Sequence, residues 1–134
     1  MERDLYGFLH PEVTPEKEVY VSDRFKDKEG KPMPFVIKPI DQETSDRIQK
    51  GCIKTDKKGN TTFDRLKYIN ELTAEAVVFP DLKNAELQKV YGVLGEVSLL
   101  KKMLYTNEYN LLVDEAQKLS GIEDFENLEE EAKN

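Results

Sequence analysis

A chain of 134 residues with 38% hydrophobic content can close one compact core and leaves little room for a second. Its 27 acids against 20 bases give a net charge of −7, which opposes the clustered Lys and Arg that a phosphate-binding face needs, so nucleic acid is not an expected partner. The single Cys52 can form neither an internal disulfide nor a paired-thiolate metal site, no run approaches the ~20 apolar residues that span a bilayer, and "MERDLYGFLHPEV" lacks the basic start and apolar run of a signal peptide; a reducing cytoplasm is the expected location, with no membrane contact.

Residues 1–16 mix Leu5, Tyr6, Phe8 and Leu9 with Pro11 and Pro15 and read as an arm, free to pack or to move. Residues 17–134 read as one domain. Its first part, 18–40, is a predicted β-hairpin: "EVYVSDRF" places Val19, Val21 and Phe25 on one alternating face, "FVIKPI" opposes it with Phe35 and Ile37, and "KDKEGKPMP" forms a long charged loop. Pro39 has no N–H to offer a neighbour, so it should end the second strand or hold it at an edge. Everything after Asp41 reads as helix. Asp41 caps a polar helix with Ile48 on its inner side and Gly51 as its stop. After the linker "KTDKKGN", Thr62 caps a stronger helix carrying Phe63, Leu66, Ile69, Leu72 and Ala76 up to Pro80. Asn84 caps "AELQKVY", Gly92 and Gly95 interrupt, and "EVSLLKKML" resumes the helix. Thr106 caps a helix with the stripe Tyr109, Leu112, Val113, Ala116 and Leu119, closed by Gly121, and Asp124 starts a last turn or two with Phe125 and Leu128. The predicted class is α+β, mostly helical, with an N-terminal hairpin and about five helices.

Catalysis is not expected. The lone His10 lies in the loose arm with no nucleophile held against it, and Cys52, although Lys50 and Lys54 could lower its pKa, fits a structural thiol better than a nucleophile lacking a base. "YGVLGE" has no preceding strand and no following Gly-Lys-Ser/Thr, so it is a helix break rather than a phosphate loop. The acidic pairs lack calcium-loop spacing, and neither a metal nor another cofactor is expected. Residues 47–67 are locally basic, with seven Lys and Arg against Asp56 and Asp64, but the loop lacks the aromatics of a single-strand binder and reads as solvated surface.

The apolar residues of "EVSLLKKML" cover about half the helix circumference, more than one packing face needs, and Leu111 falls outside the stripe of its own helix. Val97, Leu99, Leu100, Met103, Leu104 and Leu111 are therefore candidates for a partner-binding groove, with a core helix buried on two sides as the alternative.

Four phrases in order, "SDRFKDKEGKPMPFVIKPI", "VVFPDLKNAELQKVYGVLGEVSLLKKML", "NEY" with "LLVDEAQKLSG", and "EEEAKN", resemble the XkdN-like tail assembly chaperones of phages and defective prophages of Gram-positive bacteria. The resemblance runs from about Glu18 to Asn134 and carries no catalytic motif. It implies a non-enzymatic factor that binds the tape measure protein, keeps it soluble, helps tail tube subunits polymerise around it, and is absent from the finished virion. The client would lay an amphipathic helix into the groove, and the acidic surface would favour basic clients. An oligomeric structural or adaptor protein of a prophage tail module, self-associating through the hairpin edge and the apolar helix, is the alternative. The resemblance also implies a minus-one frameshift near the end of the reading frame that yields a longer fused form; Ala132-Lys133-Asn134 can be encoded by the slippery run GCA AAA AAC.

Overall fold

The computed structural model describes residues 2–122. Within the arm, Asp4 accepts the Tyr6 N–H and starts one helical turn, α1 (Tyr6–Leu9), none of whose residues is buried. Strand β1 (Lys17–Val19) pairs antiparallel with β2 (Phe35–Ile37), Val19 opposite Phe35 and Lys17 opposite Ile37, which sends Val19, Phe35 and Ile37 inward as their alternation predicts. The strands are short, and Val21 is buried beyond the end of β1.

Helix α2 (Gln42–Gly51) is capped as expected, the Asp41 carboxylate accepting the Thr44 N–H at 2.9 Å, and buries Ser45 and Ile48. The all-helical expectation then fails twice. Residues Ile53–Thr55 and Thr61–Phe63 form a second hairpin, β3 and β4. The "linker" is its turn: Asp56 Oδ1 accepts the N–H groups of Lys58 and Asn60, and Gly59 takes a φ of +85°, which a side chain would resist. Charge and length concealed a turn whose flanks, Thr55, Thr61 and Thr62, are β-branched. Helix α3 (Arg65–Ala76) consequently starts at Asp64, whose side chain accepts the Lys67 N–H, and not at Thr62. Its buried side carries Tyr68, Leu72, Thr73, Ala74 and Ala76, leaving Phe63 and Leu66 outside.

The second failure is β5 (Val77–Phe79), which follows α3 without a loop and pairs with the free edge of β2. The sheet order is β1-β2-β5, so β2 is central. It ends two residues before Pro39, the site where a missing N–H forbids further pairing.

Helix α4 (Ala85–Tyr91) begins at Asn84, which accepts the Leu87 N–H, and stops at Gly92 with φ of +67°. Helix α5 (Glu96–Met103) and helix α6 (Thr106–Leu119) complete the described chain. The residue preceding α6 is Tyr105 rather than Thr106 as cap: its N–H donates to the Glu108 carboxylate at 2.7 Å. The last predicted turn, with Asp124, Phe125 and Leu128, and the "LEEEAKN" tail lie outside the described residues.

The class is α+β, with six helices among the described residues. A main core joins the sheet (Val19, Phe35, Ile37) to α3, α5 and α6 through Ala76, Leu99, Leu100, Leu112 and Ala116. A smaller cluster of Ile48, Cys52, Tyr68 and Leu72 lies between α2 and α3, and Ile40 packs against both. Helix α3 contributes to each cluster, Tyr68 and Leu72 to the small one and Ala74 and Ala76 to the main one.

Candidate partner-binding surfaces

The six sequence-predicted site residues separate into interior and surface. Leu99 and Leu100 are completely buried, and Met103 and Leu104 nearly so. These four belong to the main core, a correction to the expected open groove: α5 packs on α3 and α4, and its buried residues share one cluster with residues of the sheet and of α6. Val97 is half-buried, and Leu111 is 40% exposed on the outer side of α6.

What remains accessible near Val97 is a shallow depression between α3 and α5. Leu66 and Val97 line it, with Asp64, Lys67, Asn70 and Glu71 as a polar border of mixed sign. Leu66, in the first turn of α3, is 71% exposed, and Leu94, in the break before α5, is 90% exposed. Isolated exposed leucines are ordinary, but one lining a depression forms a place where an apolar side chain can be covered.

A second cleft, of about 290 Å³, opens where the Phe35 and Phe79 end of the sheet meets α4 and α5. Phe25, Phe79, Leu87 and Tyr91 line it, and Arg24 and Lys26 stand at its rim. Arg24 is held in place. Its Nε donates to Glu108 Oε2 at 3.1 Å, and its Nη2 donates to Glu108 Oε1 at 2.5 Å and to the Met103 carbonyl at 2.9 Å. The guanidinium also lies 4.3 Å from the Tyr105 ring centroid and 5.0 Å from that of Phe25. Hydrogen bonding to Arg24, which outweighs the burial that opposes ionisation, lowers the Glu108 carboxyl to about 2. This cluster ties the loop between β1 and β2 to the junction of α5 and α6. Neither residue was singled out from sequence, because 84 positions separate them and each resembles any surface charge.

The remaining candidates carry little chemistry. His10 Nδ1 lies 3.0 Å from the Tyr6 carbonyl and its ring stacks on Tyr6, all on the exposed turn α1. Cys52 is fully buried, and burial first, then the nearby Glu71 carboxylate, raise its pKa, outweighing Lys67; the lowering expected from Lys50 and Lys54 does not occur. Iodoacetamide should therefore modify Cys52 at least about tenfold more slowly in native buffer than in denaturant, followed by intact mass; equal rates would place the thiol at the surface. Burial likewise raises Tyr109 to about 12, its hydroxyl donating to Asn70 Oδ1 at 2.5 Å. Among the described residues no group of three or more His, Cys, Asp or Glu could hold a metal ion, and no helix is long and apolar enough to cross a membrane.

Comparison with known proteins locates this fold. Residues 5–133 match the family model for phage XkdN-like tail assembly chaperone proteins. The XkdN protein of the phage-like element PBSX of Bacillus subtilis strain 168 is 33% identical, over 96% of this chain and 93% of its own length. The protein YqbN of the same strain is 34% identical, over 89% of this chain and 84% of its own length. A crystal structure of YqbN superposes with a TM-score of 0.77 at 29% identity, covering 90% of this chain and 98% of that one.

Proposed function

Because the chain belongs to the XkdN-like phage tail assembly chaperone family, we propose that it binds the tape measure protein of a phage or prophage tail, keeps that long helical client soluble, and promotes tail tube assembly around it. The match of residues 5–133 to the family carries this reading. The protein acts in the host cytoplasm without catalysing a reaction, and leaves before the virion is complete. Tail tube protein is the second partner, and a frameshifted longer form is made from the same gene. If the gene lacks a slippery run at its Ala132-Lys133-Asn134 codons, that longer form is not made there.

The client contact in this reading is what stays open near Val97: the α3–α5 depression with Leu66, extended by the exposed Leu94 three positions before Val97 in the chain. An amphipathic client helix would cover these leucines while the polar border keeps the complex soluble. Leu66→Asp with Leu94→Asp is the test, since both side chains are exposed and such changes usually alter stability by less than about 0.5 kcal/mol. Asp near the start of α3 also suits the helix dipole. Co-expressed with the tape measure protein, the double variant should recover at least about tenfold less soluble client than the native chain, because each lost leucine contact is worth about 1.5–3 kcal/mol when fully buried. Unchanged recovery with a native circular dichroism spectrum would remove this face from the site.

A further inference from the structure

Charge is unevenly distributed along this chain. Residues 123–134, outside the described residues, hold six acids against Lys133 and so five of the seven net negative charges, with Phe125 and Leu128 as their large apolar side chains. Residues 47–67 hold the opposite excess, seven bases against two acids. In the fold this basic segment is the end of α2, the β3–β4 hairpin and the start of α3. Arg47 pairs with Glu75 and Lys54 with Asp64, while Lys50, Lys57 and Lys58 are exposed and have no ion pair among the described residues.

The hairpin also carries an apolar pair. Ile53 and Phe63 are direct cross-strand partners, so they share one side of the ribbon, and they are 51% and 45% exposed. Phe63 lies 5.7 Å, centroid to centroid, from the Tyr68 ring of the smaller core cluster. The last described residue, Ile122, packs against that same cluster. The chain therefore leaves the described fold beside the one strongly basic segment of an acidic protein.

We propose that the β3–β4 hairpin is the docking surface for this chain's own residues 123–134, with Phe125 and Leu128 covering Ile53 and Phe63 and the acids lying among Lys50, Lys57 and Lys58. Reach permits it, as three residues beyond Ile122 span up to about 10 Å. Tethering favours this occupant over a separate chain, because a short connection holds the segment at an effective concentration in the millimolar range, on the order that weak apolar and ionic contacts need. Docking hides a basic, partly apolar ribbon from polyanions and makes the segment a built-in competitor for any acidic partner of the hairpin.

Zero-length carbodiimide coupling of the full chain, read by peptide mass spectrometry, tests this. The expected products are amides joining Glu126, Glu129, Glu130 or Glu131 to Lys50, Lys57 or Lys58 in the monomer, with yield falling several-fold in about 0.5 M salt, where the Debye length is under about 5 Å. Phe125→Ala with Leu128→Ala should reduce these products about tenfold while circular dichroism stays native. Products confined to a covalent dimer would assign the hairpin to another copy and overturn the proposal. It is equally overturned by an absence of these products, or by a double variant that couples as well as the native chain.

Discussion

Replacing Leu99 and Met103 together by aspartate is expected to leave no folded protein at 25 °C. Both side chains lie in the main core, Leu99 completely buried and Met103 nearly so. Truncating a buried Leu or Met costs about 2–5 kcal/mol through lost burial and the cavity left behind. Two truncations alone reach the typical stability of a small domain, about 5–15 kcal/mol in total. Aspartate adds the desolvation of a carboxylate, most severely at the completely buried position 99, which costs several kcal/mol more or forces the group to protonate. Circular dichroism and a urea titration provide the measurement, with Leu111→Asp as control: that side chain is 40% exposed, and its loss should shift stability by no more than about 1 kcal/mol. A double variant with the native spectrum and midpoint would show that this face of α5 is surface.

The next largest effect is expected at Glu108. Glu108→Gln keeps the shape but removes the charge that accepts two Arg24 N–H groups and the Tyr105 N–H. Hydrogen bonds to a charged, mostly buried group are worth about 1.5–3 kcal/mol, so a loss of about 2–3 kcal/mol at pH 7 is expected. The pH dependence has a definite sign. Because Glu108 is lowered from 4.5 to about 2 in the folded protein, its contribution is complete above the unfolded value and is lost as pH falls from about 5 through about 2. Asp41, Asp56 and Glu115 are lowered too, chiefly by hydrogen bonds from Thr44, Asn60 and Lys17, and add acid sensitivity to both proteins. The difference between native and variant stability therefore isolates Glu108, and it should shrink towards zero at about pH 2. A constant difference across that range would mean that Arg24 does not depend on the Glu108 charge.

Local chemistry was legible wherever a single residue decides it. Asp41 and Asn84 cap the helices predicted for them, Gly92 and Gly95 separate α4 from α5, and Val19, Phe35 and Ile37 face inward as their alternation requires. The β3–β4 hairpin was hidden because its turn is built from charged residues, and what makes it a turn is the backbone capture by Asp56 together with Gly59. Strand β5 was hidden because "VVF" continues an apolar helical run without a break; only the open edge of β2 selects the extended state over another helical turn.

By itself the sequence determined the α+β class, most helix boundaries, the absence of a familiar catalytic motif, and, through phrases spanning most of the chain, the family. Tertiary structure alone decided which apolar residues are surface. Periodicity states how wide the apolar arc of α5 is, but burial depends on how many neighbours close around it, and here Leu99, Leu100, Met103 and Leu104 enter the core shared with the sheet, α3 and α6 while Val97 stays half-buried. The same distinction explains Leu66 and the Arg24–Glu108 cluster: exposure and long-range ion pairing depend on contacts between distant segments, which spacing along one segment does not encode.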